Sequence, residues 1–154
     1  MKDIWSPRHS IRLSRVITIA FAIALLVIDL CGVPFTDFMV KALFRNNNGL
    51  AGGYLLLINL YLCSIPGYIL LYSLYQLLKN IEGKAVFIPQ NVAYLRRVSW
   101  CCVAAALFCG ITAFIWPSHG VIALAAAFMA LIVRVVKNVF AQAILMQDEL
   151  DLTV

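Results

Sequence analysis

Charge is scarce in this sequence. Only 12% of its 154 residues are Asp, Glu, Lys or Arg, and acids are the rarer sign, at seven. Soluble domains carry about 25% charged and about 45–50% apolar residues. Here 64% of residues are hydrophobic and the mean hydropathy is +0.94, more apolar side chain than one water-soluble core hides. A soluble class is excluded and an integral membrane protein is indicated. Metal-ligand spacing is also missing. The five cysteines, Cys31, Cys63, Cys101, Cys102 and Cys109, lie in apolar runs without a Cys-x-x-Cys, and neither His9 nor His119 completes a zinc pattern with them. Their odd number argues against a full disulfide framework, and small buried thiols pack as hydrophobes. No phosphate loop and no pair of carboxylates within an apolar run is present, so no catalytic set, metal or cofactor is expected. Repeats and low-complexity segments are absent too.

What is present is a series of apolar runs. The first, VITIAFAIALLVIDLCGVPF, covers residues 16–35 and follows Arg8, Arg12 and Arg15. It is long enough to span, lacks a small-x-small cleavage pattern and is interrupted by Asp29, so it reads as a retained helix rather than a signal peptide. Residues 36–49 read as a polar loop with a short amphipathic stretch. The second run, about 50–75, exceeds the roughly 20 residues that a perpendicular span needs, and Pro66-Gly67 is its expected kink. A connection follows over 76–97, where Gly83 ends one helix and Pro89 suits the first turn of the next. The third run is 98–116, PSHG makes a turn at 117–120, and the fourth span covers about 120–145 within one long helix. Residues 146–154 form a tail. The expected fold is all-α: a single transmembrane domain over 1–154, a four-helix bundle.

The cations set an expected orientation. With the N-terminus inside, ten lysines and arginines fall on the inner side and two, Lys41 and Arg45, on the outer. That places both termini, the 76–97 hinge and the tail in the cytosol, with Arg134 and Lys137 reaching for the headgroups.

Two polar features stand out within the spans. Asp29 is the single acid in a run, and an intramembrane acid is a functional hypothesis by default. The plainer reading is that it reaches the outer interface or bonds a polar neighbour such as Asn59. Tyr54, Tyr61, Tyr68 and Tyr75 recur every seven residues with Ser64 on the same side, which makes one face of the second span. Such a stripe is ordinarily helix packing, with its end tyrosines in the interfacial belts. Gly52, Gly53 and the alanine runs 104–106 and 125–127 offer small surfaces for close helix contact and for self-association.

Near the end three acids arrive together, Asp148, Glu149 and Asp151. Acids at a helix C-terminus oppose the macrodipole, so they do not serve their own helix. Docking on the basic hinge or presentation to another protein accounts for them better.

The hinge, GKAVFIPQNVAYLRRV, and the closing DLTV together resemble the small bacterial four-span family designated domain of unknown function 2975. The matching positions are Gly83, Phe87, Asn91, Val92, Leu95 and Arg96 in the hinge, and Asp151, Leu152, Thr153 and Val154 in the tail. Ile88 and Gln90 differ from the family's usual small hydroxyl residue and acid. The resemblance implies a multi-pass protein of the bacterial cytoplasmic membrane, surrounded by lipid and associated with a short cytosolic helix-turn-helix DNA-binding regulator. It implies no direct nucleic-acid binding and no established activity. The expected function is therefore a non-enzymatic regulatory membrane protein. Its expected contact surface is Gly83, Phe87, Asn91, Leu95, Arg96 and Arg97 with Asp148, Glu149 and Asp151–Val154. The alternative is a small transporter or channel-like subunit using Asp29 and the tyrosine face.

Overall fold

A computed structural model of the chain describes residues 7–43, 49–83 and 85–151. Its regular structure is helical throughout: α1 (Pro7–Leu30), α2 (Gly32–Leu43), α3 (Gly49–Glu82), α4 (Pro89–Ala113) and α5 (Ser118–Asp151). Four stretches are long and apolar enough to cross a membrane: Ser10–Leu30, Gly53–Glu82, Pro89–Ala113 and Ser118–Leu150. The protein is an all-α membrane protein.

The helix limits follow from local chemistry. Helix α1 starts at Pro7, a residue whose missing N–H is harmless in a first turn, and continues through Arg12 and Arg15 because arginine is a good helix former. It ends at Leu30 because Pro34 lacks the N–H that would bond the Leu30 carbonyl. After the turn at Cys31 the chain resumes as α2, so residues 36–43 are helical where the sequence suggests a loop. Helix α3 contains Pro66 and runs on to Glu82, beyond the apolar run that ends near Tyr75. Helix α4 opens with Pro89 behind an extended Ile88, and α5 meets no breaker from Ser118 to Asp151.

Inside and outside are reversed relative to a soluble protein. Leu30 and Phe114 are 78% and 94% exposed, whereas Ser73 and Asn91 are fully buried, and Asn59, Ser64, Ser99 and Thr112 are also buried. Apolar side chains face outward because hydrocarbon surrounds the spans, and small or polar residues fill the helix contacts.

The spans pack in chain order. The largest interface is α4 with α5, followed by α3 with α4 and α1 with α3, while α2 lies against α3 and the end of α1. Among the described residues the backbone of α1 stays apart from α4 and α5, and that of α3 from α5. The bundle is an open file of antiparallel neighbours.

Candidate functional site

The α1–α3 interface carries a polar clasp at each end. At one end the Asp29 carboxylate accepts hydrogen bonds from Ser64 Oγ at 2.5 Å and Tyr68 Oη at 2.8 Å, while Tyr61 Oη donates to the Asp29 carbonyl at 3.0 Å. Positions 61, 64 and 68 stand three and four residues apart, so one face of α3 delivers all three hydroxyls. Gly32 is needed beside them: a Cβ there would come within 2.7 Å of Tyr61 Oη. At the other end Arg15 donates to Glu82 at 2.5 Å and lies 5.3 Å over the Tyr75 ring, with Arg12 3.5 Å from the same carboxylate. The clasps have opposite polarity, acid on α1 at one end and acid on α3 at the other. Fourteen residues at 1.5 Å each separate them by about 21 Å along α1. Between them lies an apolar cleft of about 510 Å³, lined by Thr18, Leu26, Tyr68 and Tyr75 among others.

Asn59 is not a partner of Asp29, which corrects the pairing suggested from sequence. Five residues from Ser64, it points around the helix toward α4, where it accepts from Cys63 Sγ at 3.7 Å. Cys63 in turn sits 3.9 Å from Cys109 Sγ of α4. The true partners were within reach of sequence reasoning. Asp29 and Tyr61–Tyr68 lie at the same depth once α1 and α3 are antiparallel.

The hinge is organised by Asn91. Its Nδ2 donates to the carbonyls of Ala85 at 2.9 Å and Val86 at 2.7 Å, and its Oδ1 accepts from Asn80 Nδ2 at 2.8 Å. Backbone bonds from Gly83 to Lys79 and from Ala85 to Asn80 close the turn after α3. Phe87 projects from the connection, 49% exposed, and its ring packs 5.7 Å from Phe140 of α5. The hinge is therefore a tied loop. Of the sequence-selected residues, Asn91 and Leu95 are internal to it, while Gly83, Phe87, Arg96 and Arg97 face outward. Arg97 rests 5.8 Å from the Tyr94 ring. Asn80, which sequence reading missed, lies in α3 rather than in a loop and carries no local motif.

Asp148 and Glu149 are exposed on the last turns of α5. They stand about 12–14 Å along the helix beyond Phe140. Leu152, Thr153 and Val154 lie outside the described residues, as does the side chain of Asp151. Among the described residues no group of three or more His, Cys, Asp or Glu could hold a metal ion.

No curated protein and no solved structure matches this chain. One family model does, described as protein of unknown function (DUF2975), over residues 45–154. The match takes in α3, the Asn91 hinge, α4 and α5, well over half the chain, and on that basis the protein belongs to the DUF2975 family.

Proposed function

We propose that this protein is a non-enzymatic regulatory component of the bacterial cytoplasmic membrane. In this reading both termini are cytosolic, and a small helix-turn-helix transcription regulator docks on the hinge and the end of α5. One observation carries it: the hinge is tied down by Asn91 and stacked through Phe87 on Phe140 of α5. A loop serving only to join two spans has no need of three side-chain hydrogen bonds on one buried asparagine. The 34 residues of α5 make a rod about 50 Å long, against a hydrocarbon core of about 30 Å, so its acidic end projects beyond the lipid. Phe87, Arg96 and Arg97 on one side and Asp148 and Glu149 on the other then frame a mixed-charge surface.

The test is affinity purification of the full chain from membranes, compared with a chain lacking Asp151–Val154. The expected result is a helix-turn-helix protein retained by the first and lost by the second, with both inserting normally. Equal retention by the two removes the tail from the mechanism, and recovery of no DNA-binding protein removes the regulatory reading.

A second reading, a small carrier or channel-like subunit, draws on Asp29 beside the 510 Å³ cleft. Its weakness is that the carboxylate is already held by Ser64 and Tyr68. Loss of pH-dependent flux in proteoliposomes on Asp29→Asn would favour it over regulation.

A further inference from the structure

Near the hinge end of the α4–α5 pair, three cations converge on one cleft. Arg96, Ser99 and Trp100 of α4 and Arg134 and Lys137 of α5 line a space of about 250 Å³. The spacings, 96, 99 and 100 on one helix and 134 and 137 on the other, put each set on a single helical face. The Arg134 guanidinium lies 5.8 Å from the centre of the Trp100 ring, a cation–π contact that holds it at the cleft. Ser99 Oγ donates to the Ala130 carbonyl at 3.1 Å and fixes the two helices side by side there.

No carboxylate lines this cleft among the described residues. Glu82 is occupied elsewhere by Arg12 and Arg15. Three like charges around one small space repel each other unless an anion sits among them. The cleft also continues into an apolar trough of about 490 Å³, with which it shares Ser99 and Arg134. Val103, Ala106, Ala123 and Ala127 lie along that trough, where small side chains leave room between the helices. Trp100 is 60% exposed at the junction, as suits an aromatic residue at the headgroup level.

We propose that this is a binding site for an anionic phospholipid. The phosphate would lie among Arg96, Arg134 and Lys137, and one acyl chain would run along the trough. Arginine's planar fork matches phosphate oxygens two at a time, and three cations with no carboxylate among them favour a headgroup of net negative charge over a zwitterionic one, whose own cation would meet the same like charges. The trough favours a lipid over free phosphate, because an inorganic ion leaves it unused. This site does not depend on the regulatory role or on any partner.

The full-length protein, purified in mild detergent, is offered equal amounts of phosphatidylglycerol and phosphatidylcholine of the same chain length, and bound lipid is counted by native mass spectrometry. Phosphatidylglycerol should be retained preferentially. Arg134→Gln and Lys137→Gln should each lower that retention about five-fold, and Arg134→Lys, which keeps the charge but loses the planar fork, should fall between the intact protein and Arg134→Gln. Ala127→Phe fills the trough, leaves every cation in place, and should lower retention as well. Circular dichroism and a retained Phe87–Phe140 contact, read by cross-linking at those positions, separate loss of binding from loss of fold. Three results overturn the site: equal retention of the two lipids by the intact protein, unchanged preference in both glutamine variants, or displacement by inorganic phosphate together with full retention in Ala127→Phe. The last result would mean an anion site without a lipid.

Discussion

Replacing Asn91 by alanine should open the 83–88 connection. The side chain is fully buried and makes three hydrogen bonds, two to main-chain carbonyls and one from Asn80. A hydrogen bond contributes about 1 kcal/mol net, and a partner left buried and unpaired costs about 1–3 kcal/mol. Ala85, Val86 and Asn80 are half-buried, so water can reach part of what is released. The balance is a loss of about 3 kcal/mol, concentrated in the hinge and not in the spans. That is roughly a hundred-fold rise in the population of the opened loop. Hydrogen–deuterium exchange of the detergent-solubilised protein reads it directly at the Ala85 amide, which donates to the Asn80 carbonyl at 3.0 Å, because exchange there reports the open population. Asn80→Ala removes one bond only, about 1 kcal/mol, and should raise exchange about five-fold. Asn91→Asp keeps the acceptor for Asn80 but turns a carboxylate oxygen toward two carbonyls, so it should be at least as damaging as alanine. Wild-type exchange at the Ala85 amide in Asn91→Ala, with helix content preserved, would refute the idea that this asparagine ties the loop.

Tyr68→Phe removes one hydroxyl from Asp29 and should cost about 0.6 kcal/mol, and no more than about 1.7 kcal/mol, in unfolding from mixed micelles, the average and the upper value for hydrogen bonds between membrane helices. Gly32→Ala should displace the Tyr61 hydroxyl, cost about 1 kcal/mol in the same assay, and cost less in a Tyr61→Phe background, where the nearest ring atom is 3.2 Å from the new methyl. A reporter active only outside the cytosol, fused at Asn47 (outside the described residues), should give signal, whereas fusion after Val154 should not. The opposite pattern reverses the orientation expected from the cations. Glu82→Gln should loosen the Arg12–Arg15 clasp by no more than about 1 kcal/mol, because Arg12 is largely exposed, and the loss should shrink further in high salt.

Hydropathy located the four spans because twenty-residue apolar runs have one common use. It leaves the helix ends open because it sees only the part that lies in lipid. Arg12 and Arg15 extend α1, and Lys79 and Glu82 extend α3, as ordinary helical residues past the point where the apolar run stops. Asp29 and the tyrosine face were both visible, but their meeting depends on which faces of two antiparallel helices turn inward. Asn91 was picked out by resemblance to a family pattern. Its role was not legible, because its partners are an asparagine in the preceding helix and two backbone carbonyls with no side-chain signature. The cleft of Arg96, Arg134 and Lys137 was hidden for a similar reason. Its members are split between two helices, and each alone reads as a positively charged end of a span.

The open file of helices has a mechanical consequence. The α1–α3 pair and the α4–α5 pair behave as two leaves joined along a single spine, the contact between α3 and α4. That spine is marked by the thiols of Cys63 and Cys109 at one level and by Asn80 and Asn91 at another. Among the described residues the far leaf meets the near one along that spine and through Phe87 of the hinge on Phe140 of α5, so a shift at the Asp29 clasp would reach α5 by those two routes. A change in the angle between the leaves would carry the whole of α5, its projecting end included, sideways about the α3–α4 contact, while neither leaf need repack internally.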